Sequence, residues 1–229
     1  MSEFCKLLRD VYSCAHCPRD YGFCDSPNGS YFKFPPLIGA TGLADILFVG
    51  INPRRSTSNR VLHEQLMTSK WAFAALASNR IRGESYIGVS GQERHYHDHL
   101  QIIREVYGEA VPFESRAVVT ELFFCATETS NSLPSRESPC AERFLPRVLT
   151  IVQPKVIVAV GSRVMSYFRI NPVECRAADE IISCIAGCKY GVVRMPHPGN
   201  KGLSDSQRRA EIGTCIRKVR KWLSYRSAT

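Results

Sequence analysis

The chain has 229 residues, of which 44% are hydrophobic, with a formal net charge of +9, a pI near 9.2 and ten cysteines. That length and apolar content predict one domain over residues 1–229 with a real core. No internal repeat, low-complexity segment or linker rich in Gly, Ser or Pro is present, and no apolar run is long enough to span a membrane. The opening Met1-Ser-Glu-Phe-Cys-Lys has no signal-peptide core. It predicts an intracellular protein, cytoplasmic or nucleoid, in which ten cysteines are poor candidates for a disulfide framework. The excess positive charge suits a polyanion such as nucleic acid without requiring one.

In chain order, residues Glu3 to Ser13 read as a short helix with Leu7, Leu8 and Val11 on one face. Cys14-Ala-His-Cys17 follows. Two thiolates at this spacing reach one metal from a tight turn, and the pair alone is open to zinc, an iron–sulfur cluster, a redox pair or chance. Asp25 to Thr41 reads as an irregular loop. Ile46-Leu-Phe-Val49 is a short apolar run that suits a strand buried on both faces. Gly50 ends it and Asn52-Pro53 turns the chain. In open α/β sheets chemistry collects past the carboxyl ends of strands, which is where Asn52 stands. Taken alone, the motif reads more simply as an ordinary Asn-Pro turn.

Arg60 to Asn79 reads as a helix, and Gly83-Glu-Ser-Tyr86-Ile-Gly88-Val-Ser-Gly91 as a loop able to bring backbone close to a flat ligand or to serve as a surface connection. His95, His97 and His99 read as a solvated helix surface in preference to a metal site. Ala117 to Phe124 reads as a strand ending at Cys125. A polar loop leads to Pro139-Cys140 and to a helix that Pro146 is expected to shorten or kink. Lys155 to Gly161 is the clearest buried strand, Ser162 to Phe168 a further helix, and Gly191 to Met195 the last strand, stopped by Pro196-His197-Pro198. Ser204 and Gln207 match a capping box for a closing helix. Its stripe is Ile212, Ile216, Val219 and Leu223, and its exposed part carries Arg208, Arg209, Arg217, Lys218, Arg220 and Lys221. Such a face is commonly just solvated; beside a site it would track phosphates.

Four features stand in order: Cys14-x-x-Cys17, the strand ending Gly50-Ile-Asn-Pro53, Cys125 followed by Cys140, and the strand ending His197-Pro198. This set resembles the uracil-DNA glycosylase superfamily, most closely its iron–sulfur (family 4) branch, over roughly residues 12 to 200 of this chain. The resemblance implies a three-layer α/β/α sandwich with a mainly parallel central sheet. It implies a [4Fe–4S] cluster on Cys14, Cys17, Cys125 and Cys140, a site that zinc would also accept. It implies hydrolysis of uracil or another deaminated or damaged base from DNA, acting as a monomer with no membrane partner. Asn52 takes the water-positioning place, and the Gly-Ile-Asn-Pro form is similar to the mismatch-specific and single-strand-selective branches. His197 takes the place that donates to the departing base. Gly50, Ile51, Tyr86 and Glu121 take substrate-binding places, with Tyr86 stacking where the family usually has Phe.

Glu121 departs from the family pattern, which has an Asn that reads uracil. Asn donates and accepts, whereas ionised Glu only accepts, so Glu121 must be protonated when buried or prefer a base that offers a donor. Arg54 is a second departure, at a position that is commonly Gly. No lysine is placed to argue for a Schiff-base lyase. Two rival readings are a catalytically silent nucleic-acid binder on the same fold and a zinc-dependent nucleoside or nucleotide hydrolase.

Overall fold

A computed structural model of the chain describes residues 3–16, 37–39, 42–51, 93–125, 127, 133, 138–170, 172–198 and 202–225. Within them lie five α-helices: α1 (Glu3–Ser13), α2 (Glu93–Tyr107), α3 (Pro139–Val152), α4 (Ser162–Phe168) and α5 (Asp205–Tyr225). The strands are β1 (Ile38–Gly39), β2 (Ile46–Gly50), β3 (Ala117–Glu121), β4 (Val156–Val160), β5 (Pro172–Ala177), β6 (Glu180–Ile185) and β7 (Cys188–Met195). They form one seven-stranded sheet in the order β1-β3-β2-β4-β7-β6-β5. Its centre, β3-β2-β4-β7, is parallel, while β1, β6 and β5 pair antiparallel at the borders.

The central strands are short and apolar throughout. Ile46 to Val49 and Val156 to Val160 are buried at every position, so neither face reaches water. Helix α3 starts where Ser138 caps it, with the Ala141 N–H donating to Ser138 Oγ at 3.0 Å and Pro139 at the first helical position. It runs through Pro146 to Val152, so the expected shortening at the proline does not occur. Helix α5 has the capping box read from Ser204 and Gln207. The Ser204 N–H donates to Gln207 Oε1 at 2.9 Å, and the Gln207 N–H donates to Ser204 Oγ at 3.3 Å.

Three expectations change. His99 is not on a solvated surface: it is 1% exposed, with its ring against Phe48 at 4.7 Å and Tyr96 at 5.3 Å. His97 alone of the described pair is exposed. The basic face of α5 is partly consumed by ion pairs. Arg208 pairs with the buried Asp98 of α2, Lys218 with Asp179 and Glu180, and Arg220 with the carbonyl and carboxylate of Glu105. Residues 172 to 185, read as no element from sequence, form β5 and β6. The helix expected over Arg60 to Asn79 lies outside the described residues.

Asp45 fixes the amino-terminal end of the sheet. It accepts from Tyr107 Oη at 3.0 Å and Arg116 Nη1 at 3.2 Å and pairs with Lys155 Nζ at 3.0 Å, joining the ends of α2, β3 and β4. Burial acts to raise its pKa, but the hydrogen bonds from Lys155, Tyr107 and Arg116 outweigh burial and hold it below the ordinary 3.8. Asp45→Ala is therefore expected to cost about 2–3 kcal/mol in urea unfolding at neutral pH, the usual worth of hydrogen bonds to a charged group. A depressed carboxylate contributes stability above its unfolded pKa and loses it as pH falls through the folded value. The gap between wild type and variant should hence narrow only below about pH 4.

Candidate active site at the carboxyl edge of the sheet

Strand β2 lies between β3 and β4, both of which follow it in sequence, so the chain moves one way from β2 to β3 and then crosses back to β4. That reversal is a topological switch point, where open α/β sheets bind ligands outside the carboxyl ends of the strands. At this edge stand Gly50 at the end of β2 and Ile51 after it, Glu121 at the end of β3, Gly161 after β4 and His197 after β7, with Gly50 against Glu121 and Gly161 against His197. Asn52 and Tyr86, with the glycine loop around Tyr86, lie outside the described residues.

The exit of β2 is held by more than its strand pairing. Beyond the Gly50–Glu121 pair, the Leu122 N–H donates to the Gly50 carbonyl and the Phe123 N–H to the Ile51 carbonyl, each at 2.9 Å. Ile51 is buried, so the backbone is fixed up to the residue directly before Asn52. Gly50 has a steric reason to be glycine. A Cβ there would fall 2.1 Å from Glu121 Oε2, because the carboxyl group lies over the Gly50 Cα.

Glu121 is 7% exposed, and its Oε2 has no hydrogen-bond partner among the described residues. Burial pushes its pKa from the ordinary 4.5 up to about 8. A buried polar atom without a partner among the described residues, at the carboxyl edge of a parallel sheet and with a displaced pKa, makes Glu121 a candidate functional position. The displacement also has a consequence for stability. An acid with a raised folded pKa binds its proton in the folded state where the unfolded chain has lost it, so stability falls as pH rises from 4.5 to about 8 and is flat beyond. Glu121→Gln, neutral throughout, should become more stable relative to wild type across that window in urea titrations. A gap independent of pH would show that Glu121 does not titrate this way.

His197 packs on the other side of the switch point. Gly161 has φ +91°, donates its N–H to the Met195 carbonyl at 2.8 Å, and would bring a Cβ within 3.2 Å of His197 Cβ. Only glycine accepts that backbone without strain while leaving room for the imidazole. The ring is half-buried on backbone that the parallel β4–β7 pair holds rigid. Sequence reading named His197 and Glu121 as candidates and did not single out Gly161, whose place in a buried-strand motif gave no sign of the neighbour it makes room for.

Of the four expected metal ligands, Cys17 lies outside the described residues. Cys125 and Cys140 are buried, and Cys14 is half-buried at the end of α1 against the core. Ser138 links two of these segments: its Oγ donates to the Leu122 carbonyl at 2.5 Å while capping α3, whose first turn carries Cys140. Helix α1 packs on α3, with Arg147 Nη1 donating to Asp10 Oδ2 at 2.8 Å. Among the described residues no three His, Cys, Asp or Glu side chains gather closely enough to hold a metal ion. Cys14, Cys125 and Cys140 are all described and do not by themselves form such a group, and the fourth expected ligand, Cys17, lies outside the described residues. Cys215 differs: burial, and then the nearby Asp179 charge, push its thiol up to about 12, as for an ordinary core cysteine.

A separate cavity of about 450 Å³ lies between α2 and α5, lined by Asp98, Arg104, Glu105 and Arg208 among others, and includes none of the carboxyl-edge residues. No protein-family model matches this sequence, and no curated protein matches it. No helix among the described residues is long and apolar enough to cross a membrane.

Proposed function

We propose that this chain is a monofunctional DNA glycosylase, hydrolysing the N-glycosidic bond of uracil or another deaminated or damaged base in DNA. The observation that supports the reading is that Gly50, Ile51, Glu121 and His197 all stand at the carboxyl edge of the parallel strands, with the Glu121 carboxyl over Gly50. Breaking the bond between C1′ and the base nitrogen leaves positive charge on the sugar and negative charge on the base, so a site must place water and stabilise an anion. Asn52, the next residue after the fixed Ile51 backbone, orients the water. Its amide cannot take the water's proton, which suits a reaction with much bond breaking before attack. His197 donates a hydrogen bond to the departing base. Tyr86 stacks on the flipped base, and the carboxyl of Glu121 faces its edge. Cys14, Cys17, Cys125 and Cys140 hold a [4Fe–4S] cluster with a structural role, zinc being the less favoured occupant.

The fold that goes with this reading is a three-layer sandwich. Crossovers between parallel strands are right-handed, so a chain that reverses direction at β2 carries α2 and α3 on opposite faces of the sheet. The protein acts as a monomer inside the cell, on DNA drawn by its net charge of +9 and by exposed residues such as Arg209, Arg217 and Lys221. The deciding experiment incubates the protein with oligonucleotides carrying single lesion bases and reads abasic sites by alkaline cleavage. Release of at least one base is expected. No release from any single- or double-stranded substrate would remove the proposal.

A further inference from the structure

The carboxyl group of Glu121 has no obvious structural purpose. Among the described residues it forms no ion pair and caps no helix, and its Oε2 is enclosed without a partner. Its surroundings among the described residues hold no compensating charge. The neighbouring strand β2 is Ile-Leu-Phe-Val-Gly, the described part of β1 is Ile-Gly, and Leu122, Phe123 and Phe124 follow it. Burial is the sole cause acting on its ionisation. Isolated carboxylates in such places cost several kcal/mol and take up a proton instead.

We infer that Glu121 works as a neutral acid whose O–H and C=O pair together with a base edge carrying a ring N–H beside a carbonyl, the edge of uracil and hypoxanthine. The inference rests on the base-release reading above and names its substrate class. A carboxylate has only acceptors and would repel the carbonyl; it would instead favour the two-donor edge of a guanine-type base. A carboxylic acid offers one donor and one acceptor, the same pair as a side-chain amide. The position suits a rigid reader. Glu121 ends a central strand, its backbone is paired to Gly50, and the missing Cβ of Gly50 lets the carboxyl group lie flat against β2 at the switch point.

The test compares wild type, Glu121→Gln and Glu121→Ala in single-turnover release from matched oligonucleotides containing uracil or hypoxanthine. Gln keeps one donor and one acceptor at nearly the same size, so it should release uracil or hypoxanthine within about tenfold of wild type. Ala removes both hydrogen bonds and should slow that release about 100-fold. If Gln is as slow as Ala while wild type is active, the neutral-acid inference is overturned and base release survives. If wild type releases no base at all, the function itself fails and the inference falls with it. The protonation state is read separately by difference infrared spectroscopy of wild type against Glu121→Gln at neutral pH. A protonated-carboxyl carbonyl band belonging to Glu121 is expected, and its absence would overturn the inference whatever the activity.

Discussion

Asn52→Ala and His197→Ala should each slow single-turnover base release by about 10²- to 10³-fold, roughly 3–4 kcal/mol of transition-state stabilisation, while leaving DNA affinity largely intact. The size follows from what each group does. A donor aimed at the charge that develops on the departing base is worth most where water is excluded and its direction is fixed beforehand. His197 meets the second condition: it follows a parallel strand, and its ring is wedged against Gly161, whose N–H is tied to the Met195 carbonyl. Asn52 follows backbone whose last two carbonyls are paired to Leu122 and Phe123. Gly161→Ala provides a third arm. Its Cβ would press on His197 from 3.2 Å, so it should lower release without removing any reacting group. Binding is expected to be spared because phosphate contacts, which these residues do not make, supply most DNA affinity. Full activity in both Asn52→Ala and His197→Ala would rule out this edge as the site.

The parts of the fold that were legible in sequence are those where one residue run meets one uniform environment. Ile46 to Val49 and Val156 to Val160 are apolar because both faces are covered, so a run without alternation was enough to find them. Helix α1 and the start of α5 announced themselves through periodicity and a capping box, both of which are local. Strand β5 could not be found this way. Pro172-Val-Glu-Cys-Arg-Ala177 is exposed at every position, so its sequence records solvent and its extended form comes from pairing with β6. The turn from β6 to β7 passes through Ala186 at φ +50° and Gly187 at φ +79°, without the Asn-Gly or Asp-Gly signal that marks such turns. His99 was misread for a related reason: Phe48, which covers it, is 51 positions away in sequence, and helical spacing says nothing of what lies across the interface. At the site, the types and order of Gly50, Glu121 and His197 were legible. The contact between Gly50 and the Glu121 carboxyl is a product of strand register and was not.

Protein prepared without air should be brown and carry about four iron atoms per chain, as one cubane cluster requires. Replacing Cys125 or Cys140 with Ser should lower both iron content and the yield of folded protein. Two features make the effect large. Both thiols are buried, and a buried thiolate is tolerable only beside a metal or another compensating charge. Both also sit at junctions: Cys125 just past β3, and Cys140 in the first turn of α3, with Ser138 tying that turn back to the Leu122 carbonyl. A cluster spanning these points would staple the end of a site-bearing strand to a core helix, so losing one ligand loosens the backbone that carries Glu121. Cys175→Ser is the control, since that thiol is exposed on β5 and should change neither iron nor yield. Stoichiometric zinc without iron in anaerobic preparations would replace the cluster with a zinc site on the same residues. Iron retained in full by both Ser variants would show that these two cysteines are not ligands, and the four-cysteine assignment would be lost with them.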